Sequence, residues 1–174
     1  MSTFGNTNQT TSSYQATAID KAYGSLFTSP ADMGTVTELI AYIGSGAAGD
    51  TCKLCIWKHS DLSLVYSSSA IATDGAAAAR TTGAISVALD PSTEYILGAV
   101  FKTASDRFYK ETGSTNQSHV EDNSYTTPTG MTSPTHGTIL FQIYANYTPS
   151  GGAGILPIPN PFSRPIGGSL GGCL

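Results

Sequence analysis

The sequence predicts an all-β chain, an antiparallel β-sandwich followed by an extended Pro/Gly-rich C-terminal arm, and three observations carry that expectation. Only 11% of the 174 residues are charged, against about 25% in an ordinary globular domain. About a quarter are Ser or Thr, with 19 Gly and 9 Pro, a composition that suits turns and pleated edges better than helix surfaces. Apolar residues also recur with a period of two between turn signals spaced roughly 8 to 15 residues apart, as a sandwich requires.

Taken in order, the first candidate strands are residues 23–27, 36–43, 52–57 and 62–66. They are separated by Ser29-Pro30, by Gly44-Ser45-Gly46 with Gly49-Asp50, and by His59-Ser60-Asp61. Residues 75–80 have helical composition, but four alanines are too few to nucleate a helix unaided. Residues 84–89 place Ile85, Val87 and Leu89 on one side; Asp90-Pro91-Ser92 then turns the chain into residues 95–101, predicting that these two runs pair with each other. Residues 107–110 are expected to pair with the run before Ile139. The last run, residues 139–147, alternates most regularly. Ile139, Phe141, Ile143, Ala145 and Tyr147 share one face, and Leu140, Gln142, Tyr144 and Asn146 the other.

A chain of 18.0 kDa buries roughly 70% of its unfolded surface when it folds compactly, enough for one self-standing domain. We place that domain at residues 1–149 and the arm at 150–174. From Pro149 onward there are five prolines, seven glycines and a single charge, Arg164. The prolines remove backbone donors and favour a polyproline-like path. Such a segment stays ordered only where something holds it, which points to a neighbouring subunit. Its spaced side chains Ile155, Leu156, Ile158, Phe162, Ile166 and Leu170, with Arg164, are the candidate partner-binding residues; Leu174 completes the apolar set.

A formal net charge of −4 removes the positive field that dominates affinity for nucleic acid and anionic lipid, so neither is an expected partner. No apolar run approaches the roughly 20 residues of a membrane span, and the opening residues lack the basic and apolar regions of a signal peptide. Three cysteines, Cys52, Cys55 and Cys173, make no disulfide framework and fit synthesis in a reducing cytoplasm.

No pattern marks a catalytic site or a cofactor, and none is expected. Cys52 and Cys55 match C-x-x-C, but three residues apart in a strand they point to opposite faces and read as independent packing residues. His59, His119 and His136 fall far apart on predicted loops and read as solvated. Asn116, Glu121, Asp122 and Asn123, with Asp106 upstream, could hold calcium but lack EF-hand spacing, and a solvated loop is the favoured reading. Trp57, Tyr66, Tyr109 and Tyr125 fall at strand ends or on loops, where an exposed ring could face a sugar or fill a protein hot spot; for any one of them core or rim packing is the favoured reading.

Six segments occur in a characteristic order: Phe4-Gly5-Asn6-Thr7; Lys21 through Thr28, KAYGSLFT; Gly34 through Tyr42, GTVTELIAY; Thr93 through Gly98, TEYILG; Asp122-Asn123-Ser124-Tyr125; and Ile143 through Pro149, IYANYTP. In this order and spacing, over residues 4–149, the chain resembles a jelly-roll-like β-sandwich module found in phage structural proteins and in microbial and viral surface proteins. The loop after Trp57 is shorter than in the pattern, and small residues replace an aromatic near Arg80, which weakens an inherited sugar-binding surface. The resemblance implies a non-enzymatic virion structural protein, made in the host cytoplasm: a capsid decoration or cement subunit, or a tail-associated one. It would dock by its arm on other virion proteins such as the major capsid protein, and homo-oligomerise. The alternative is a carbohydrate-binding or host-adhesion module with a glycan ligand.

Overall fold

The computed structural model describes residues 2–45 and 47–151. Ile155, Leu156, Ile158, Phe162, Arg164, Ile166, Leu170 and Cys173 therefore lie outside the described residues. Among those described there is no helix. The strands are β1 (Ser2–Gly5), β2 (Tyr14–Ala16), β3 (Lys21–Thr28), β4 (Thr35–Ser45), β5 (Thr51–Lys58), β6 (Leu64–Ser67), β7 (Ile71–Ala72) and β8 (Ala78–Thr81), then β9 (Val87–Ala88), β10 (Glu94–Phe101), β11 (Asp106–Thr112), β12 (Ser118–Asp122), β13 (Thr135–Gly137), β14 (Ile139–Phe141) and β15 (Ile143–Thr148).

These strands form two antiparallel sheets packed as a sandwich. The first runs β1-β15-β4-β11-β14, with β2 on β11 and with β8 and β9 on β4; the second runs β13-β12-β3-β10-β5-β6, with β7 on β5. Alternation puts Leu39, Ala41 and Ile43 of β4 and Ile143, Ala145 and Tyr147 of β15 against Leu54, Ile56, Leu97 and Phe101 of the facing sheet. Aromatic rings fill the middle: Phe108 stacks on Phe141 with centroids 4.4 Å apart, and Tyr23 meets both Phe101 and Phe141 edge to face.

The second sheet has a core on its outer face too. Ala22, Cys55, Trp57, Ile96, Val100 and Met131 cluster there, with Leu26, Leu62, Leu64 and Tyr125 packed around them. The cover is the long connection between β12 and β13, residues 123–134, which lies over a sheet face that would otherwise meet water. This explains β10, where every residue from Tyr95 to Phe101 is buried: a central strand packed on both faces needs a continuous apolar run, not an alternating one.

The structure corrects several strand expectations. Residues 84–89 and 95–101 do not pair, because Val87–Ala88 joins β4 in the first sheet while β10 lies between β3 and β5 in the second. Within the alanine window, Ala78–Thr81 is a strand on β4. The final run is broken at Gln142, so that β14 pairs with β11 and β15 with β4 and β1. Gln142 is itself buried, its backbone N–H donating to the Tyr109 carbonyl and its side chain bonding Thr10. Of residues 107–110, only Lys110 pairs with β14, whose other partners are Glu111 and Thr112; residues 107–109 lie against β2 and residues 107–108 against β4 as well.

Candidate functional site

Every histidine of the chain meets at one place, contrary to the expectation that they lie far apart; His136 is exposed as expected, His59 is half-buried, and His119 is buried. His119 in β12 is opposite His136 in β13. His59 follows β5, and its backbone N–H donates to the Glu94 carbonyl at the start of β10. The rings stand edge to face, 5.2 Å between the centroids of His59 and His119 and 4.5 Å between those of His119 and His136. Sheet register therefore joins residues 119 and 136, and the β5–β10 pairing carries residue 59 to them.

The central imidazole is the unusual one. His119 is 1% exposed, and neither ring nitrogen makes a hydrogen bond of normal geometry. His59 Nδ1, by contrast, lies 2.8 Å from Glu94 Oε2. Burial, followed by the positive potential of His136 and His59 when charged, pushes the pKa of His119 down to about 4, with the Gln117 backbone and Glu94 acting in the opposite sense. A shallow depression of about 420 Å³ opens alongside, lined by His59, Asp61, Leu62, Thr132, Ser133 and His136 among others. Among the described residues, no three His, Cys, Asp or Glu side chains are arranged to hold a metal ion.

The covering loop is tied down at both ends and in its middle. Asn123 brackets Thr129, its amide donating to the Thr129 carbonyl and its side-chain oxygen accepting from the Thr129 N–H, both at 3.1 Å. The Trp57 indole N–H donates to that same carbonyl at 2.8 Å. Tyr125 receives Lys53 over its ring, and its hydroxyl bonds Thr51. At the far end Met131 N–H donates to the Leu62 carbonyl at 2.9 Å, and the Glu121 carboxylate accepts from Thr132 and Ser133. Leu62 holds a left-handed backbone, φ 58°, a strained conformation for a branched side chain that surrounding contacts must sustain.

The expected aromatics separate into different roles. Trp57 is fully buried in the outer core and presents no ring to a ligand. Tyr66 is half-buried against the main core, and Tyr125 is half-buried under Lys53. Tyr109 is 7% exposed but belongs to a row that sequence reading did not assemble: Tyr14 to Tyr109 at 6.1 Å and Tyr109 to Tyr42 at 5.3 Å, with Arg107 over the Tyr14 ring. Because Phe108 and Ile43 point into the main core, Tyr109 and Tyr42 face out from the first sheet. The only sequence signal for the row is alternation in each strand, which does not reveal which strands lie side by side.

The acidic and amide residues are dispersed into protein contacts. Asp122 pairs with Lys21, Glu121 and Asn123 hold the loop, and Asp106 is buried with its side chain near Thr103. Cys52 and Cys55 face opposite sides of their sheet, one in each core. Burial pushes the Cys55 thiol up to about 12 and raises that of Cys52 as well. Neither thiol should react with a thiolate-selective probe at neutral pH in the native protein, whereas both should react after unfolding; labelling followed by mass spectrometry checks this, and native labelling would contradict it.

No protein-family model matches the chain, and no curated protein matches it.

Proposed function

We propose that the chain is a non-enzymatic structural subunit of a virion, a capsid decoration or cement protein or a tail-associated one, which attaches to its neighbours through residues 150–174. The observation that carries this reading is the contrast between two parts of one sequence. The two cores are built from residues between Phe4 and Tyr147. Past them come seven spaced Ile, Leu and Phe side chains with one charge, Arg164. Each such side chain contributes roughly 1.5–3 kcal/mol if fully buried, before ordering is counted. The jelly-roll-like resemblance supports a virion setting, with other virion proteins and further copies of the chain as partners. Several copies attaching together offset the entropy of ordering each arm.

Deleting residues 152–174 is expected to leave the thermal transition within a few degrees of the parent and to abolish or greatly weaken attachment. Co-sedimentation with the parent particle, or oligomeric mass by light scattering, measures it. A truncated chain that still assembles would remove the reading's main support.

A second reading, a glycan-binding or adhesion module, is favoured by the row of Tyr14, Tyr109 and Tyr42 with Arg107. Tyr14 is 45% exposed, and a tyrosine face can pack on a sugar while its hydroxyl stays wet. A saturable ligand on a glycan array, lost on Tyr14→Ala, would favour it; Trp57 is unsuited to this test because it is buried.

A further inference from the structure

We propose that His59, His119 and His136 form an acid-sensitive latch, in which protonation of the cluster releases the covering loop, residues 123–134, from the second sheet and exposes the apolar surface around Trp57. This goes beyond the assembly reading and does not depend on it.

The geometry supplies each part of the device. His119 sits between the other two rings, 99% buried by its 1% exposure, with no acceptor for a second N–H. A proton there creates a buried cation with little hydrogen bonding, the least favourable way to hold a charge. The groups around it do not neutralise that charge. From β13 it faces His136, and from the turn after β5 it faces His59, neither of which offers it an anion. From β10 it feels Glu94, already engaged by His59. β3 presents Gly24 opposite His119, with Lys21 paired to Asp122 further along. Glu121 on β12 is committed to Thr132 and Ser133, and Asp61 to Ser63.

A charged His119 between the two other rings would loosen the segments that grip the loop. His136 is in β13, to which the loop runs. His59 begins the turn whose Leu62 carbonyl holds Met131. Separation of these two segments loses the Met131–Leu62 hydrogen bond and lets Leu62 leave its left-handed conformation. Ala22, Ile96 and Val100 stay in a sheet that keeps its own main core, so only the outer apolar face is uncovered.

The direction follows from linkage. The open loop leaves His119 in water with the ordinary value of 6.5, while the closed loop holds it at about 4. Below 6.5 the open form binds more protons, so closure weakens as pH falls from 6.5 through 4 and levels off about one pH unit below that. The ratio of proton affinities makes the opening equilibrium about 300-fold larger at the acid end.

Hydrogen exchange on the full-length protein tests this. Between about pH 7.5 and about pH 4, protection factors of the Thr129 and Met131 amides should fall by about 150-fold beyond any change in β10. His119→Phe, which keeps an aromatic ring without a titrating group, should abolish that fall; His119→Gln serves the same purpose if Phe overpacks. Fluorescence of Trp57, the chain's single tryptophan, should become more accessible to acrylamide in parallel. The proposal is overturned if loop protection does not change with pH, if β10 and the loop lose protection together, or if both His119 variants retain the parent's acid response.

Discussion

Replacing Gly98 by alanine should destabilise the protein by more than about 4 kcal/mol, and replacing it by valine should prevent accumulation of folded chain. Gly98 is in the middle of β10, paired with Gly24 on one side and Cys55 on the other. A Cβ at this position would lie 2.7 Å from the Gly24 Cα and closer still to the Tyr23 carbonyl oxygen. Both obstacles are backbone atoms of a paired strand. Relief therefore requires β3 and β10 to separate, which weakens the ladder that joins the two halves of the second sheet. Gly24→Ala provides the comparison, because its nearest obstacle is the Ile96 Cγ2, a side-chain atom that can rotate; the nearest backbone atom is the Leu97 oxygen at 3.1 Å. It should be less damaging than Gly98→Ala. Urea denaturation followed by far-UV circular dichroism measures both, and a Gly98→Ala variant within about 1 kcal/mol of the parent would refute the close-approach argument.

The same row of residues shows why part of the molecule was legible in sequence and part was not. Register across the second sheet runs His136, His119, Gly24, Gly98, Cys55 and Ser67. Strand character in β3, β4, β5, β10 and β15 follows from local alternation or from apolar runs, which any short window contains. The neighbours in that row depend on strand order, and strand order depends on which sheet each strand joins. Thus Phe141, Ile143, Ala145 and Tyr147 were predictable as one face, whereas the meeting of residues 59, 119 and 136 was not. Short polar strands such as Ser118–Asp122 and Thr135–Gly137 carry no clear period, and they hold two of the three histidines.

The full burial of Trp57 and the role of the covering loop were hidden in the sequence for a related reason. A tryptophan near a strand end looks exposed if its sheet has one wet face. The run Tyr-Ile-Leu-Gly-Ala-Val-Phe at residues 95–101 held the contrary signal, since seven successive residues without a charged or amide side chain require cover on both faces. What supplies the cover is residues 123–134, which read locally as a polar loop of Ser, Thr and Pro. Only Tyr125 and Met131 in that loop are large enough to contribute substantial apolar packing to the outer core.

Trp57→Ala should therefore be the most damaging substitution in the outer core, at about 3–5 kcal/mol, and Trp57→Phe should lose about 1–3 kcal/mol. Both remove the indole N–H that bonds the Thr129 carbonyl. That carbonyl keeps the Asn123 amide as a donor, so the hydrogen-bond loss is modest and nearly common to the two variants. The difference between them measures packing. Alanine leaves a cavity between the loop and Ile96 and Val100, whereas phenylalanine still occupies most of the space. If the loop is held chiefly by this apolar contact, Trp57→Ala should also reduce amide protection across residues 123–134 at neutral pH, with β4 and β15 in the other sheet much less affected. Thermal unfolding by circular dichroism gives the stability order, and hydrogen exchange gives its location. Equal losses for Ala and Phe would assign the cover to its hydrogen bonds instead. In that case Asn123→Ala, which removes both of the contacts bracketing Thr129, should release the loop more fully than any change at Trp57.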